Sequence, residues 1–217
     1  MTIENLVAPK LIGIWGKAGS GKSAIATYLH NTRPNTWTEA FADPLKQVAS
    51  LLFGIPIDYF NDRDFKEVPF NFWGISPRQV VQFVGTEMVR DTLYKLLPEV
   101  ENNFWVARMV GRLAGELDNM EYTKDDVVVI PDVRFQNEYN WVLAQGGIII
   151  HLTRPGADGI VGIPSHQSEH GIGFTHTTER NWIIENTGSL DDLYANVDKA
   201  VSHYSIYPLT LTNPDSF

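Results

Sequence analysis

The chain has 217 residues, no cysteine, and 26 acidic against 17 basic side chains, a net charge of −9. That length suits one α/β domain with a sizeable core, and 43% hydrophobic with 20% charged residues is ordinary globular usage, not that of a disordered or fibrous protein. The acidic balance argues against a polynucleotide partner, whose phosphates call for Lys and Arg, and the missing cysteines exclude disulfides, thiolate catalysis and cysteine-ligated metals.

Residues 1–10 include Glu4 and lack a basic stretch followed by an apolar core, so they do not read as a signal peptide. No apolar run approaches the roughly 20 residues of a membrane span, and the expectation is a soluble protein of the cytoplasm. Leu11-Ile12-Gly13-Ile14-Trp15 is a short apolar run ending at glycine and predicts a buried first strand. A helix over 22–30 follows, with Ala24, Ile25, Ala26 and Leu29 available for burial. Residues 37–42 predict a second strand, and Asp43-Pro44 opens a helix with the acid at N-cap and proline at N1. Residues 54–75 show no clear period and read as an irregular insertion over the ligand.

Ser76-Pro77 repeats the cap signal and predicts a helix to about Arg90, and another helix covers 104–117. Val127-Val128-Val129-Ile130 is the clearest buried strand, followed by Pro131-Asp132 and a helix from about Phe135. Residues 147–152 form the next predicted strand. Residues 155–176, rich in Gly, His and Ser without apolar periodicity, read as a mobile loop. Residues 182–185 are the last strand, Ser189-Leu190-Asp191-Asp192 starts the final helix in the manner of a capping box, and 208–217 read as a loose tail. Strands alternating with helices imply a parallel sheet with helices on both faces, an αβα sandwich whose ligands bind beyond the carboxyl ends of the strands. Gly16, Asp43, Asp132 and Arg154 each follow a predicted strand, so all four are expected at one edge.

The most specific chemistry lies in Gly16-Lys17-Ala18-Gly19-Ser20-Gly21-Lys22-Ser23, between the first strand and first helix. Glycines free the backbone to wrap an anion, successive N–H groups and the helix N-terminus bind phosphates, and Lys22 reaches the β/γ oxygens. Gly16, Ala18, Gly19, Ser20, Gly21, Lys22, Ser23 and Ala24 are therefore expected around ATP, with the Ser23 hydroxyl on magnesium. Residues 127–132 resemble a Walker-B element, an apolar strand ending in an acid near the metal. Pro131 interrupts it, so Asp132 reads either as a metal-site acid or as a cap of the next helix. Arg134 reads either as a stabiliser of the transferring phosphoryl group or as one half of a surface (i, i+4) pair with Glu138.

At 100° per residue, Arg78, Gln82, Thr86 and Arg90 fall on one stripe, with Val80, Val81, Val84 and Met88 opposite. A polar stripe is commonly a solvated face. This one has two guanidiniums for a 5′-phosphate and an amide for a base edge. Asp43 and Lys46 read as cap and helix residue, or as groups that hold an acceptor sugar and phosphate. Ser165-His166-Gln167-Ser168-Glu169-His170 has no zinc spacing and reads as part of a glycine-bounded lid. No Asn-Lys-x-Asp motif is present, which argues against a GTPase.

Together the P-loop, Phe41-Ala42-Asp43-Pro44-Leu45-Lys46, Gln82-Phe83-Val84-Gly85-Thr86 with Arg90, Asp132-Val133-Arg134-Phe135-Gln136-Asn137-Glu138, Arg154 and Ser165-His166-Gln167-Ser168-Glu169 resemble the bacteriophage-type deoxynucleoside monophosphate kinase family over nearly the whole chain. The resemblance implies a P-loop, NMP-kinase-like fold in one domain. It also implies an acceptor-binding helical region at about 43–120, a lid at about 155–177, and transfer of the γ-phosphoryl group of ATP to deoxynucleoside monophosphates for phage DNA synthesis. Magnesium is the implied cofactor, ATP and the monophosphate are the implied partners, and a homodimer is among the implied assemblies.

Carried over by residue, Lys22 and Ser23 hold ATP and magnesium with Asp132 supporting the metal, and Arg154 lies on the ATP side. Arg134 stabilises the transferring group and Glu138 orients it. Asp43, Lys46, Arg78, Gln82, Gly85, Thr86, Arg90 and Trp105 take the acceptor. Trp73, Phe83 and Trp105 read as core aromatics that could also stack on its base. Adenylate-kinase-type lids carry several arginines, whereas residues 155–176 have none and are only flanked by Arg154 and Arg180.

Overall fold

The computed structural model describes residues 9–62, 64–118, 121–157, 172 and 179–206. Five strands, β1 (Lys10–Trp15), β2 (Thr36–Thr38), β3 (Val127–Val133), β4 (Ile148–Thr153) and β5 (Asn181–Glu185), make one sheet in the order β2-β3-β1-β4-β5, every neighbouring pair parallel. A parallel pair cannot be closed by a hairpin, so each step needs a crossover. Helix α1 (Lys22–Thr32) carries the chain from β1 to β2, α6 (Gln136–Ala144) carries it from β3 to β4, and α7 (Leu190–His203) follows β5. Between β2 and β3 the chain builds α2 (Asp43–Phe53), α3 (Ile57–Asn61), α4 (Pro77–Phe83) and α5 (Phe104–Leu113). The expected α/β architecture is observed.

The apolar strands are buried on both faces because the pleat alternates their side chains. Ile12, Ile14, Val129 and Ile150 go to the core under α1 and α7, with Ile25, Leu29, Val197 and Val201. Leu11, Val128, Ile130 and Ile149 go to the other core, with Leu45 and Ala49 of α2, Val80 of α4, Met109 of α5 and Val142 of α6. Strand β1 lies in the middle, so the loop after it opens at the centre of the carboxyl edge, where such sheets bind ligands.

Several boundaries differ from expectation for identifiable reasons. Strand β2 stops at Thr38 rather than at 42, because the N–H groups of Phe41 and Ala42 donate to the Asp132 carboxylate at 3.0 and 2.9 Å instead of to a strand. Strand β3 continues through Pro131 to Val133, since the register to β1 shifts between Gly13 and Trp15 and a proline is tolerated at such an irregularity. Helix α2 starts at Asp43 with Ala42 as its cap residue, so Asp43 is not the cap expected of it and turns to Lys46 instead.

The insertion at 54–75 is not wholly irregular. It contains α3, too short to show a period, and a bridge from Phe70 to Ile75. The helix opened by the Ser76–Gln79 capping box is α-helical only to Phe83 and then winds as a π-helix over Val84–Arg90. That change of winding defeats a stripe drawn at 100° per residue, and Met88, expected on the apolar side, is 42% exposed. Helix α5 ends at Leu113, not 117, where Glu116 and Leu117 return their N–H groups to the Gly111 carbonyl and Gly115 has φ +73°.

The start of the final helix is capped reciprocally by Ser189 and Asp192, as expected. Of the expected lid, only Pro155, Gly156, Ala157 and Ile172 are described, and Ile172 is buried in the same core as Leu45 and Met109. Residues 165–170 and the tail at 208–217 lie outside the described residues, as do residues 1–8. Among the described residues no helix is long and apolar enough to cross a membrane.

Candidate functional site

The loop after β1 has the backbone that its glycines allow. Gly19 and Gly21 have φ +78° and +113°, left-handed values that glycine adopts without strain. Helix α1 begins directly afterwards with no side-chain cap and no acid in its first turn, so the positive end of its dipole faces outward uncompensated. Lys22 folds back over the loop, its Nζ donating to the carbonyls of Gly16 at 2.5 Å and Lys17 at 2.7 Å. Ser23 is exposed one residue into the helix, and the buried Ser20 Oγ makes no hydrogen bond among the described residues. Asn186, after β5, donates its Nδ2–H to the Ser20 carbonyl at 2.8 Å and ties the last crossover to the loop. Beneath it, Trp15 and His151 pack with ring centroids 3.9 Å apart, and burial pushes the imidazole down to about 4, so it brings no charge at neutral pH.

Gly16 is required by packing. A Cβ there would meet the Leu152 carbonyl oxygen at 2.2 Å and Ser20 Oγ at 2.9 Å. Overpacking a rigid site costs about 1–3 kcal/mol, so Gly16→Ala should weaken ATP binding by roughly 5- to 150-fold. Titration calorimetry with ATP, with thermal unfolding as a control, tests this, and an unchanged dissociation constant would refute it.

Strand β3 delivers the next group. Its register places Val133 beside Trp15, so Arg134 follows the strand next to Gly16. Asp132 has both carboxylate oxygens engaged by the N–H groups of Phe41 and Ala42. Burial raises its carboxyl above the usual range, opposed by those N–H groups and by the charges of Arg134 and Lys46. Asp132 thus latches β3 to the start of α2 and does not cap α6. Lys46 bonds through its N–H to the Ala42 carbonyl at 2.9 Å, and Ala42 in turn donates to Asp132, so the start of α2 is tied to the residue that precedes Arg134 by two.

Glu138 sits one turn into α6 and is 3% exposed. Its Oε2 accepts the N–H groups of Arg134 at 2.8 Å and Phe135 at 3.1 Å, and its Oε1 accepts Arg90 Nη2 at 2.8 Å. Glu138 is therefore paired with Arg90, and it holds Arg134 by the backbone rather than by the expected (i, i+4) side-chain pair. Burial raises the Glu138 carboxyl, and Arg90 with the two N–H groups opposes the rise. A guanidinium does not deprotonate in proteins, and both Glu138 oxygens accept N–H donors, the arrangement that favours the carboxylate.

A cavity of about 520 Å³ opens beside this edge, between the start of α2 and α5. That volume is in the range of small-molecule sites. Asp43, Lys46 and Trp105, three of the residues expected around an acceptor, lie on its wall. Asp43 accepts from Lys46 Nζ at 3.0 Å, and the Trp105 indole donates to the Gly85 carbonyl at 2.9 Å. Glu39, Arg108, Arg112 and Asp118 share the wall and were missed by sequence reasoning. The (i, i+4) spacing of Arg108 and Arg112 was a signal, but Glu39 was read as lying inside a strand.

The expected polar stripe is elsewhere. Arg78 pairs with Glu67 at 2.5 Å, and Gln82 and Thr86 are each 5% exposed. Gly85 presses on Leu45, where a Cβ would meet Leu45 Cδ2 at 2.5 Å. Arg90, 4% exposed, faces Glu138, Asn137 and the Asn102 carbonyl, with its guanidinium carbon 3.6 Å from the Phe135 ring centroid. None of these residues lines the cavity, because a buried arginine needs a fixed counter-charge and the stripe turns inward to find one. Trp73 and Phe83, expected in the core, are 46% and 49% exposed. Arg154 is exposed at the end of β4, on the opposite side of β1 from β3.

Residues 57–197 match the family model described as deoxynucleotide monophosphate kinase. The chain is 32% identical to a putative deoxynucleotide monophosphate kinase of Acanthamoeba polyphaga mimivirus, across 90% of the chain and 97% of that protein. It is 27% identical to a deoxynucleotide monophosphate kinase of Escherichia phage RB69, over 58% of the chain and 44% of that protein. A deoxynucleoside-5′-monophosphate kinase of Escherichia phage T5 is 24% identical over 59% of the chain and 69% of its own length.

Proposed function

The chain belongs to the deoxynucleotide monophosphate kinase family, and we propose that it transfers the γ-phosphoryl group of ATP to deoxynucleoside 5′-monophosphates, a reaction that would supply phage DNA precursors. The observation that carries this reading is a shared carboxyl edge. There the P-loop with its uncapped α1 stands beside β3, and Asp132 of β3 latches the start of α2, with Asp43 and Lys46 of the cavity wall, to the sheet. In the reaction, an oxygen of the acceptor phosphate attacks the γ-phosphorus as the bond to the β-phosphate oxygen breaks. The products are the deoxynucleoside diphosphate and ADP.

Lys22 leaves the loop carbonyls for the β/γ oxygens, and α1 with residues 16–24 holds the triphosphate. Arg134 stabilises charge on the transferring group, Glu138 positions it through the backbone, and Lys46 receives the acceptor phosphate. The oxygens present suit magnesium, which keeps much of its water and takes one or two protein ligands. The exposed Ser23 hydroxyl would be one, with the Asp132 carboxylate, held by two backbone N–H groups, as the supporting acid. Magnesium bound there supplies neutralisation of phosphate charge. The chain acts as one kinase domain, with the acceptor side in 43–120, Arg154 on the ATP side and 155–177 closing over ATP to exclude water.

A coupled assay of ADP formation, run with each deoxy- and ribonucleoside monophosphate and ATP–magnesium, tests the reading. Monophosphate-dependent ADP release with a matching diphosphate product is expected. ADP release that no nucleoside monophosphate stimulates would overturn it.

A further inference from the structure

The far wall of the cavity is more charged than a core requires. Glu39, only 8% exposed, accepts Arg112 Nε at 2.5 Å and Arg112 Nη2 at 2.9 Å, and the Tyr122 hydroxyl donates to the same carboxylate. Apolar residues of similar volume would close such a wall without the desolvation that an enclosed ion pair carries. The pairing uses the side-on edge of the guanidinium. It leaves the end-on edge, one N–H from each Nη nitrogen, with its plane set by two hydrogen bonds.

Asp118 Oδ2 stands at Nη1 of Arg112, at 3.1 Å, and also takes Arg108 Nη2 at 2.8 Å. Its side chain is 40% exposed and its backbone is left-handed at φ +66°. A single exposed carboxylate oxygen therefore sits where acceptor atoms of a ligand would meet both arginines. Lys46, by contrast, stands on the cavity wall in the first turn of α2, its N–H on the carbonyl of Ala42, whose own N–H holds Asp132 of β3. A monophosphate with its phosphate at Lys46 would extend its base toward α5.

We propose that Arg112, oriented by Glu39 and Tyr122, reads the acceptor's base through its end-on edge and favours a 6-oxo purine over a 6-amino purine. This rests on the kinase reading above. Guanine presents O6 and N7 as two adjacent acceptors that an arginine fork meets together. Adenine places an amino donor at the same point, leaving donor against donor and a desolvated N–H unpaired.

Steady-state kinetics with dGMP and dAMP, on the wild type, Arg112→Lys and Asp118→Asn, test the assignment. The wild type should prefer dGMP in kcat/KM by roughly 5- to 150-fold, the range of one bidentate base contact. Arg112→Lys keeps the charge beside Glu39 but loses the fork, and should bring the ratio close to one with KM for ATP unchanged. Asp118→Asn, an exposed change that leaves Arg112 in place, should lower KM for dGMP and not for dAMP.

A wild-type ratio at or below one overturns the proposal. So does a folded Arg112→Lys that slows both substrates equally or leaves the ratio intact. If Arg112→Lys does not fold, an Asp118→Asn effect shared by both purines overturns it. A wild type that converts no monophosphate refutes the kinase reading and this inference with it, whereas conversion with an insensitive ratio removes the inference alone.

Discussion

Arg134→Ala is expected to cut turnover by roughly three to five orders of magnitude, the effect of removing a transition-state arginine in phosphoryl transfer. ATP should still bind. The expectation follows from placement, since Val133 pairs with Trp15 at the ends of their strands and the residues that follow are Arg134 and Gly16. The turn is held independently of the side chain, because Glu138 accepts the N–H groups of residues 134 and 135, so truncating the guanidinium should leave the fold intact. Single-turnover rates with a saturating monophosphate, alongside ATP calorimetry and thermal unfolding, separate chemistry from binding. Turnover within tenfold of wild type would remove Arg134 from the mechanism. Arg134→Lys should recover little, because a point charge does not reproduce a planar fork on phosphate oxygens.

Glu138→Gln should destabilise the protein by about 3–5 kcal/mol, because it leaves the buried Arg90 guanidinium uncompensated. For a protein of this size each kcal/mol moves the melting temperature by about 2–4 °C, so a fall of roughly 6–20 °C is expected. The pair is enclosed, with side-chain exposures of 5% for Arg90 and 3% for Glu138, so solvent screening cannot soften the loss. Replacing both partners, Arg90→Met with Glu138→Leu, should recover most of the stability, since the two desolvation penalties vanish together. It should not recover turnover, because the carboxylate that anchors the Arg134 turn is gone. Thermal and denaturant unfolding of the single and double variants measure the first claim, and the coupled assay measures the second. A double variant as active as wild type would reduce Glu138 to a purely structural partner of Arg90.

How much was legible depended on how local each feature is. The P-loop could be read directly because its glycines, lysine and serine act through the backbone of one continuous segment, and Gly19 and Gly21 have the left-handed values that such a loop needs. The cap at Ser76 and the capping box at Ser189 were legible for the same reason, each bond closing within three residues. The stripe from Arg78 to Arg90 holds as a period only through the α-helical turns, and its members Gln82, Thr86 and Arg90 are buried. The period itself breaks where the helix takes up π winding, and the partner that turns Arg90 inward is 48 residues away in sequence. Arg112 is not legible in the sequence because its meaning comes from Glu39, 73 positions earlier, and from Tyr122.

The sequence by itself therefore determined that a glycine-shaped loop follows the first strand, that the strands run parallel between helices, and that Asp132 and Arg134 come at the same sheet edge as that loop. Each follows from pattern over a few residues or from the rule that parallel strands gather their following loops at one edge. Only the tertiary structure decided which cations are committed to structure and which stand on the cavity. Arg78, Arg90, Arg108 and Arg112 are all paired with carboxylates, but Glu67 and Glu138 hold the first two away from the cavity, whereas Glu39 and Asp118 hold the second two on its wall. An arginine's role is set by the nearest desolvated carboxylate, and long-range packing, not spacing along the chain, chooses that neighbour.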